Sequence, residues 1–179
     1  PRACPPRFAG GQRGRVTVQI TDFDQSANLV SLFLSRADEL GDKPMLWARR
    51  DGQWRATSWA QAAQTVCLMA EALRGLGLRD GDRVMLVSEN RPEWCLADLS
   101  IMAAGCVTVP AYVTNTERDH AHVLENSGAR AVIVSDAKLA KVLLPAVLRT
   151  DVARVVIGIE DLKMHQSGAL EYHQWTTLA

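Results

Sequence analysis

The chain has 179 residues, 47% of them hydrophobic and 22% charged, with 20 basic and 20 acidic side chains. That excludes disorder for the bulk of it, which needs low hydrophobicity and high net charge. It also argues against a protein that mainly grips nucleic acid, which wants a basic excess. A chain of this length buries about 70% of the surface it exposes when unfolded, enough for one domain or two small ones.

The charge balance hides an asymmetry. Residues 1–21 hold Arg2, Arg7, Arg13 and Arg15 and no acid, together with Pro1, Pro5, Pro6, Gly10, Gly11 and Gly14. There is no apolar stretch of the secretory kind. Residues 1–24 are therefore expected to be a flexible basic leader, natural or left by cloning, or else an arm for an acidic partner. The element-bearing body is expected over 25–160, and 161–179 as a tail without clear period.

In chain order, Asn28 can cap a helix whose apolar positions are Leu29, Leu32, Phe33, Ala37 and Leu40, with Gly41 as terminator. Met45–Ala48 is extended, Asp51-Gly52 is a two-residue hairpin signal, and Gln53–Ala56 returns antiparallel. Ser58 with Gln61 forms a capping box for a helix with Ala62, Val66, Met69, Ala70 and Leu73 on one face.

From there the rhythm is strand and helix in alternation. Strands are predicted at 83–87, 107–111, 131–134 and 154–159. The intervening helices start near Asn90-Pro92-Glu93, at Thr116 with Asp119, and at Asp136. This pattern predicts an α/β fold: a mostly parallel sheet with helices on both faces, joined by right-handed crossovers, plus a small N-terminal β-hairpin. Trp94 to Val113 carries Asp98 as its only charge and approaches membrane-spanning length. Gly105 and Pro110 divide it, so it reads as a buried helix feeding a buried strand, and no transmembrane segment is expected.

Recognisable catalytic chemistry is sparse. Cys4, Cys67, Cys95 and Cys106 have no metal-ligand spacing, and read as buried thiols in a reducing compartment. His120 and His122 fall on opposite sides of a helix. Gly75, Gly77 and Gly81 end a helix where a phosphate fingerprint should follow a strand. No metal site, nucleophile elbow or phosphate loop is found. The strand carboxyl ends offer Ser88-Glu89-Asn90, Tyr112-Val113-Thr114 and Ser135-Asp136, of which Asn90 and Asp136 read as helix caps.

Two segments say more. Residues 81–116, GDRVMLVSENRPEWCLADLSIMAAGCVTVPAYVTNT, and 122–135, HVLENSGARAVIVS, resemble the N-terminal portion of the adenylate-forming ligases, specifically the long-chain fatty acyl-CoA synthetases. Asn90 through Trp94, Gly105, Pro110, Tyr112, Thr114 and Thr116 carry the match, with Asp51-Gly52, Trp54 and Ser58-Trp59 upstream. The resemblance covers roughly residues 26–160.

It implies a two-step reaction in the parent. A carboxylate oxygen attacks the α-phosphorus of ATP and pyrophosphate leaves; the thiol of coenzyme A then attacks the acyl carbon and AMP leaves. ATP, Mg²⁺ and CoA are the parent's cofactors. The family's phosphate loop, adenine-binding segment, ribose-binding aspartate and C-terminal lysine have no counterpart here and would lie downstream of Ala179. The expectation is an N-terminal scaffold fragment of a fatty acid–CoA ligase. It is expected to be inactive alone, to bind no cofactor by itself, and to have the remainder of the synthetase as partner. A homodimer through its uncovered surface is also expected. No catalytic residue is assigned. Trp94 and Tyr112 are candidates for a substrate-channel wall, core packing being the alternative. A cytoplasmic location follows, with peripheral membrane contact for the parent. The alternative function is a stand-alone flavodoxin-like or Rossmann-like module binding a small ligand or protein; a noncatalytic interaction domain left by gene truncation is a third.

Overall fold

A computed structural model describes residues 26–164 and 170–179; the basic leader and Cys4 lie outside them. Helix α1, Leu29–Leu40, is capped by the Asn28 carboxamide, whose oxygen accepts from the Ser31 N–H at 2.9 Å. Strands β1, Pro44–Arg50, and β2, Gln53–Ser58, form an antiparallel pair. Asp51 and Gly52 at its tip have φ of 51° and 77°, the positive values that a two-residue turn matching strand twist demands. The expected capping box forms. Ser58 Oγ accepts from the Gln61 N–H, and Gln61 Oε1 accepts from the Ser58 N–H at 3.0 Å. Helix α2, Trp59–Gly75, buries Ala62, Val66, Met69, Ala70 and Leu73, the five positions its periodicity selects.

The alternation follows as β3 Arg83–Val87, α3 Pro92–Ala103, β4 Val107–Pro110, α4 Glu117–Ser127, β5 Ala131–Val134, α5 Ala137–Thr150 and β6 Val155–Gly158. Two further elements close the chain, β7 Glu171–Gln174 and α6 Trp175–Leu178. The five strands β3 to β7 make one parallel sheet in the order β4-β3-β5-β6-β7.

Strand residues alternate between two cores. Val84, Leu86, Ile133 and Ile157 pack with α1, α2, α3 and Trp175 on one face. Met85, Val87, Val132, Val134 and Val156 pack with α4 and α5 on the other. This two-sided burial is why β3, β5 and β6 read as unbroken apolar runs.

Four expectations change. The stretch after residue 160, aperiodic in sequence, supplies the edge strand β7 and a core tryptophan, Trp175. Four residues are too few to show a period, and β7 is recognised only by pairing with β6. Asn90 does not cap α3: the cap position is Arg91, without a side-chain hydrogen bond, and Pro92 and Glu93 fill the first turn. Asp136 does cap, accepting from the Leu139 N–H at 2.9 Å. Cys67 and Cys95 are exposed, because they fall on the outward sides of α2 and α3; only Cys106 of the described cysteines is buried. The hairpin strands also run longer than predicted.

Candidate functional site

The strand order has one reversal. Chain leaving β3 crosses to β4 on one side, and chain leaving β5 crosses to β6 on the other. A crevice outside the carboxyl ends is therefore expected between β3 and β5, where parallel sheets bind ligands. Ser88, Glu89 and Asn90 follow β3, and Ser135 and Asp136 follow β5. Fully buried Ser135 donates its hydroxyl to Glu89 Oε2 at 2.7 Å, tying the two strand ends together.

Two hollows open at this end. One, of about 630 Å³, lies over β3 and β4 and brings together Asn90, Trp94, Pro110 and Tyr112. Trp94, in the first turn of α3, is partly buried against the first core, so it serves packing and lining at once. Tyr112 is 81% exposed and takes no part in the core. The structure thus joins the two aromatic candidates at one hollow but divides their packing.

The second hollow, about 850 Å³, lies between the hairpin and the start of α3, and shares Asn90. Four charges from three distant segments meet across it. Arg50 of β1 pairs with Glu93; Arg91 Nε donates to Glu93 at 2.9 Å; Arg91 Nη1 donates to Glu160, beyond β6, at 2.8 Å. Burial works against ionisation of Glu93, but the Arg91 hydrogen bond, its own backbone amide and the two guanidinium charges prevail and hold its pKa below the ordinary value. Burial likewise opposes the Arg91 charge, and the bonds to Glu93 and Glu160 outweigh it, raising that pKa. This network escapes sequence reading. Arg91 and Glu93 stand in the segment that carries the resemblance, but nothing local points to Glu160.

Neither hollow is lined by a lysine, and no group of three or more metal-ligating side chains occurs among the described residues. Arg50 and Arg91 are held by carboxylates, and Arg49 donates to the Gly52 carbonyl at the hairpin tip. A triphosphate needs fixed, uncompensated donors, so this surface alone does not fit one.

Residues 33–177 match the family model described as AMP-binding enzyme. The chain belongs to that family. The long-chain-fatty-acid–CoA ligase FadD15 of Mycobacterium tuberculosis is 40% identical over 79 residues, 44% of this chain and 13% of that protein. The human mitochondrial acyl-coenzyme A synthetase ACSM5 is 33% identical over 108 residues, 58% of this chain and 19% of that one. Among solved structures, coronafacic acid ligase from Pectobacterium brasiliense superposes with a TM-score of 0.74 at 17% identity, over 83% of this chain and 28% of its own. The chain therefore has the fold of part of an adenylate-forming domain and spans under a quarter of these curated relatives.

Proposed function

We propose that this chain is the N-terminal scaffold of a fatty acid–CoA ligase, and that the nucleotide-handling groups belong to residues beyond it. The observation that carries this reading is the family match over 33–177 combined with 40% identity to a long-chain ligase of which the chain spans only 13%. The geometry supports it: a two-faced parallel sheet presents a strand-end crevice whose cations are already engaged. In the parent, ATP, Mg²⁺ and CoA would be held chiefly by the remainder of the synthetase, the chain's principal partner. The chain's part is to hold the crevice open and supply one wall.

Trp94 and Tyr112 are proposed as part of that wall for the acyl substrate. Their shared hollow supports this. In a full-length enzyme, Y112A should change chain-length preference with little loss of stability, since the side chain is mostly exposed. Unchanged preference in both Y112A and W94A would leave them as packing residues.

The polypeptide alone should show no ATP–pyrophosphate exchange, while a full-length version carrying a downstream phosphate loop should. Exchange by the 179-residue chain would overturn the scaffold reading. Self-association through surface that the remainder would cover is expected in isolation, and light scattering that shows a monomer at high concentration would exclude it. No helix among the described residues is long and apolar enough to cross a membrane. A cytoplasmic location, with the parent at most peripheral to a bilayer, is the compartment this reading carries.

A further inference from the structure

Helix α5 covers the second core with Leu139, Ala140, Leu143, Ala146 and Val147. Its exposed positions are Lys138, Lys141, Val142, Pro145, Leu148 and Arg149, with Ala137 at its start. A surface helix ordinarily turns polar and charged residues to water. Helices α1, α2 and α4 each expose an acid there, Glu39, Glu71 and Glu125. The outer side of α5 carries only cations and apolar side chains. Val142 is 39% exposed and Leu148 55%.

These positions stand three and four apart, so they form one ridge. From Lys138 to Arg149 it runs about 16 Å at the rise of an α-helix. Such a ridge seats in the groove of a second helix. Arg149 is engaged by Glu117 at 2.7 Å. Lys138 and Lys141 pair with no carboxylate among the described residues. An apolar ridge with two uncompensated cations is complementary to a helix with an apolar side and carboxylates beside it.

The ridge has a direction. α5 leads from the carboxyl end of β5 to the amino end of β6, away from the strand-end crevice where the remainder of the synthetase is placed. No aromatic side chain lies on it, so it lacks the Trp and Phe bulk of interfacial helices. A broad anionic surface would also meet Asp119 and Glu125, exposed on neighbouring α4. We propose that the outer ridge of α5 docks an acidic amphipathic helix of a separate protein, its apolar side on Val142, Pro145 and Leu148 and its carboxylates on Lys138 and Lys141. The chemistry rests on α5 alone, and its failure leaves the ligase reading untouched.

The probe is a fluorescein-labelled peptide of about four helical turns, with leucines at helical spacing and glutamates elsewhere. Its anisotropy is titrated with the full 179-residue chain. The acidic peptide should bind, and a version with lysine for every glutamate should not. A scrambled peptide of the same composition should bind about tenfold more weakly. K138Q/K141Q should weaken binding about tenfold and V142S/L148S about fivefold, with far-UV circular dichroism unchanged because all four side chains are exposed. R118Q, an exposed cation of α4, should leave the affinity unaltered. Any of four results overturns the proposal: no binding of the acidic peptide; equal binding of the scrambled one; binding insensitive to either double variant, as the basic stretch 1–21 would give by itself; or displacement of the peptide by phosphatidylglycerol vesicles, which would make the ridge a bilayer contact.

Discussion

Glu93 is where single-residue energetics concentrate. Its side chain is only 12% exposed and accepts from two arginines. E93Q keeps the shape but leaves Arg91 and Arg50 short of a charge, and should cost about 1–3 kcal/mol at neutral pH. Because the folded-state pKa of Glu93 is depressed, the unfolded chain takes up the proton first as pH falls. The stabilisation is therefore present above about pH 4.5 and lost as pH drops through the lower folded value. Thermal melts of wild type and E93Q should differ at pH 7 and converge in acid. His120 gives an independent pH signal. It is buried, its Nδ1 has no partner, and burial lowers its pKa against the opposing pull of Asp119. Below about pH 6.5 the unfolded state protonates while the folded state resists, so stability falls as pH falls through that window. H120L should flatten the slope there and be near neutral at pH 8, since it also removes an orphaned polar atom. A steeper slope in H120L would contradict the assignment.

At the level of elements, local signals written in the chain carry measurable stability. Ser58 and Thr116 each complete a capping box. S58A and T116A should each lower unfolding free energy by about 1 kcal/mol, as denaturant titration would show. Gly105, between α3 and β4, has φ of +82°, and a Cβ there would meet Asp80 Oδ1 at 2.2 Å. The Asp80 side chain is exposed and can swing aside, whereas the backbone angle cannot change without breaking the Gly81 N–H bond to the Gly105 carbonyl at 2.8 Å. G105A should therefore cost about 1–3 kcal/mol, and D80A should not rescue it. Recovery in the double variant would mean that crowding and not backbone strain sets the cost. These elements were legible in advance because each depends on residues at most a few positions apart: a cap and its third amide, a turn pair, one apolar face.

The whole molecule is decided by contacts that no local pattern carries. Trp175, near the end of the chain, inserts into the core formed by α2, α3 and the sheet. W175A should cost about 3–5 kcal/mol, measured by denaturant unfolding, which would be surprising for a loose tail. β7 shares this character: its four residues have no pattern of their own and become a strand only beside β6. The candidate site was legible in part. The aromatic pair was named from the chain, since Trp94 and Tyr112 flank a helix start and a strand end. Their convergence on one hollow, and the contrast between half-buried Trp94 and exposed Tyr112, were not. The sequence by itself determined the elements as far as β6, their alternation and hence a parallel sheet covered on both faces, because hydrogen bonding and apolar periodicity act over short separations. Only the tertiary structure decided the strand order and the meeting of Arg50, Glu93, Arg91 and Glu160. Those depend on which distant segments become neighbours, and charge or burial at one position says nothing of its partner until the chain has closed around both.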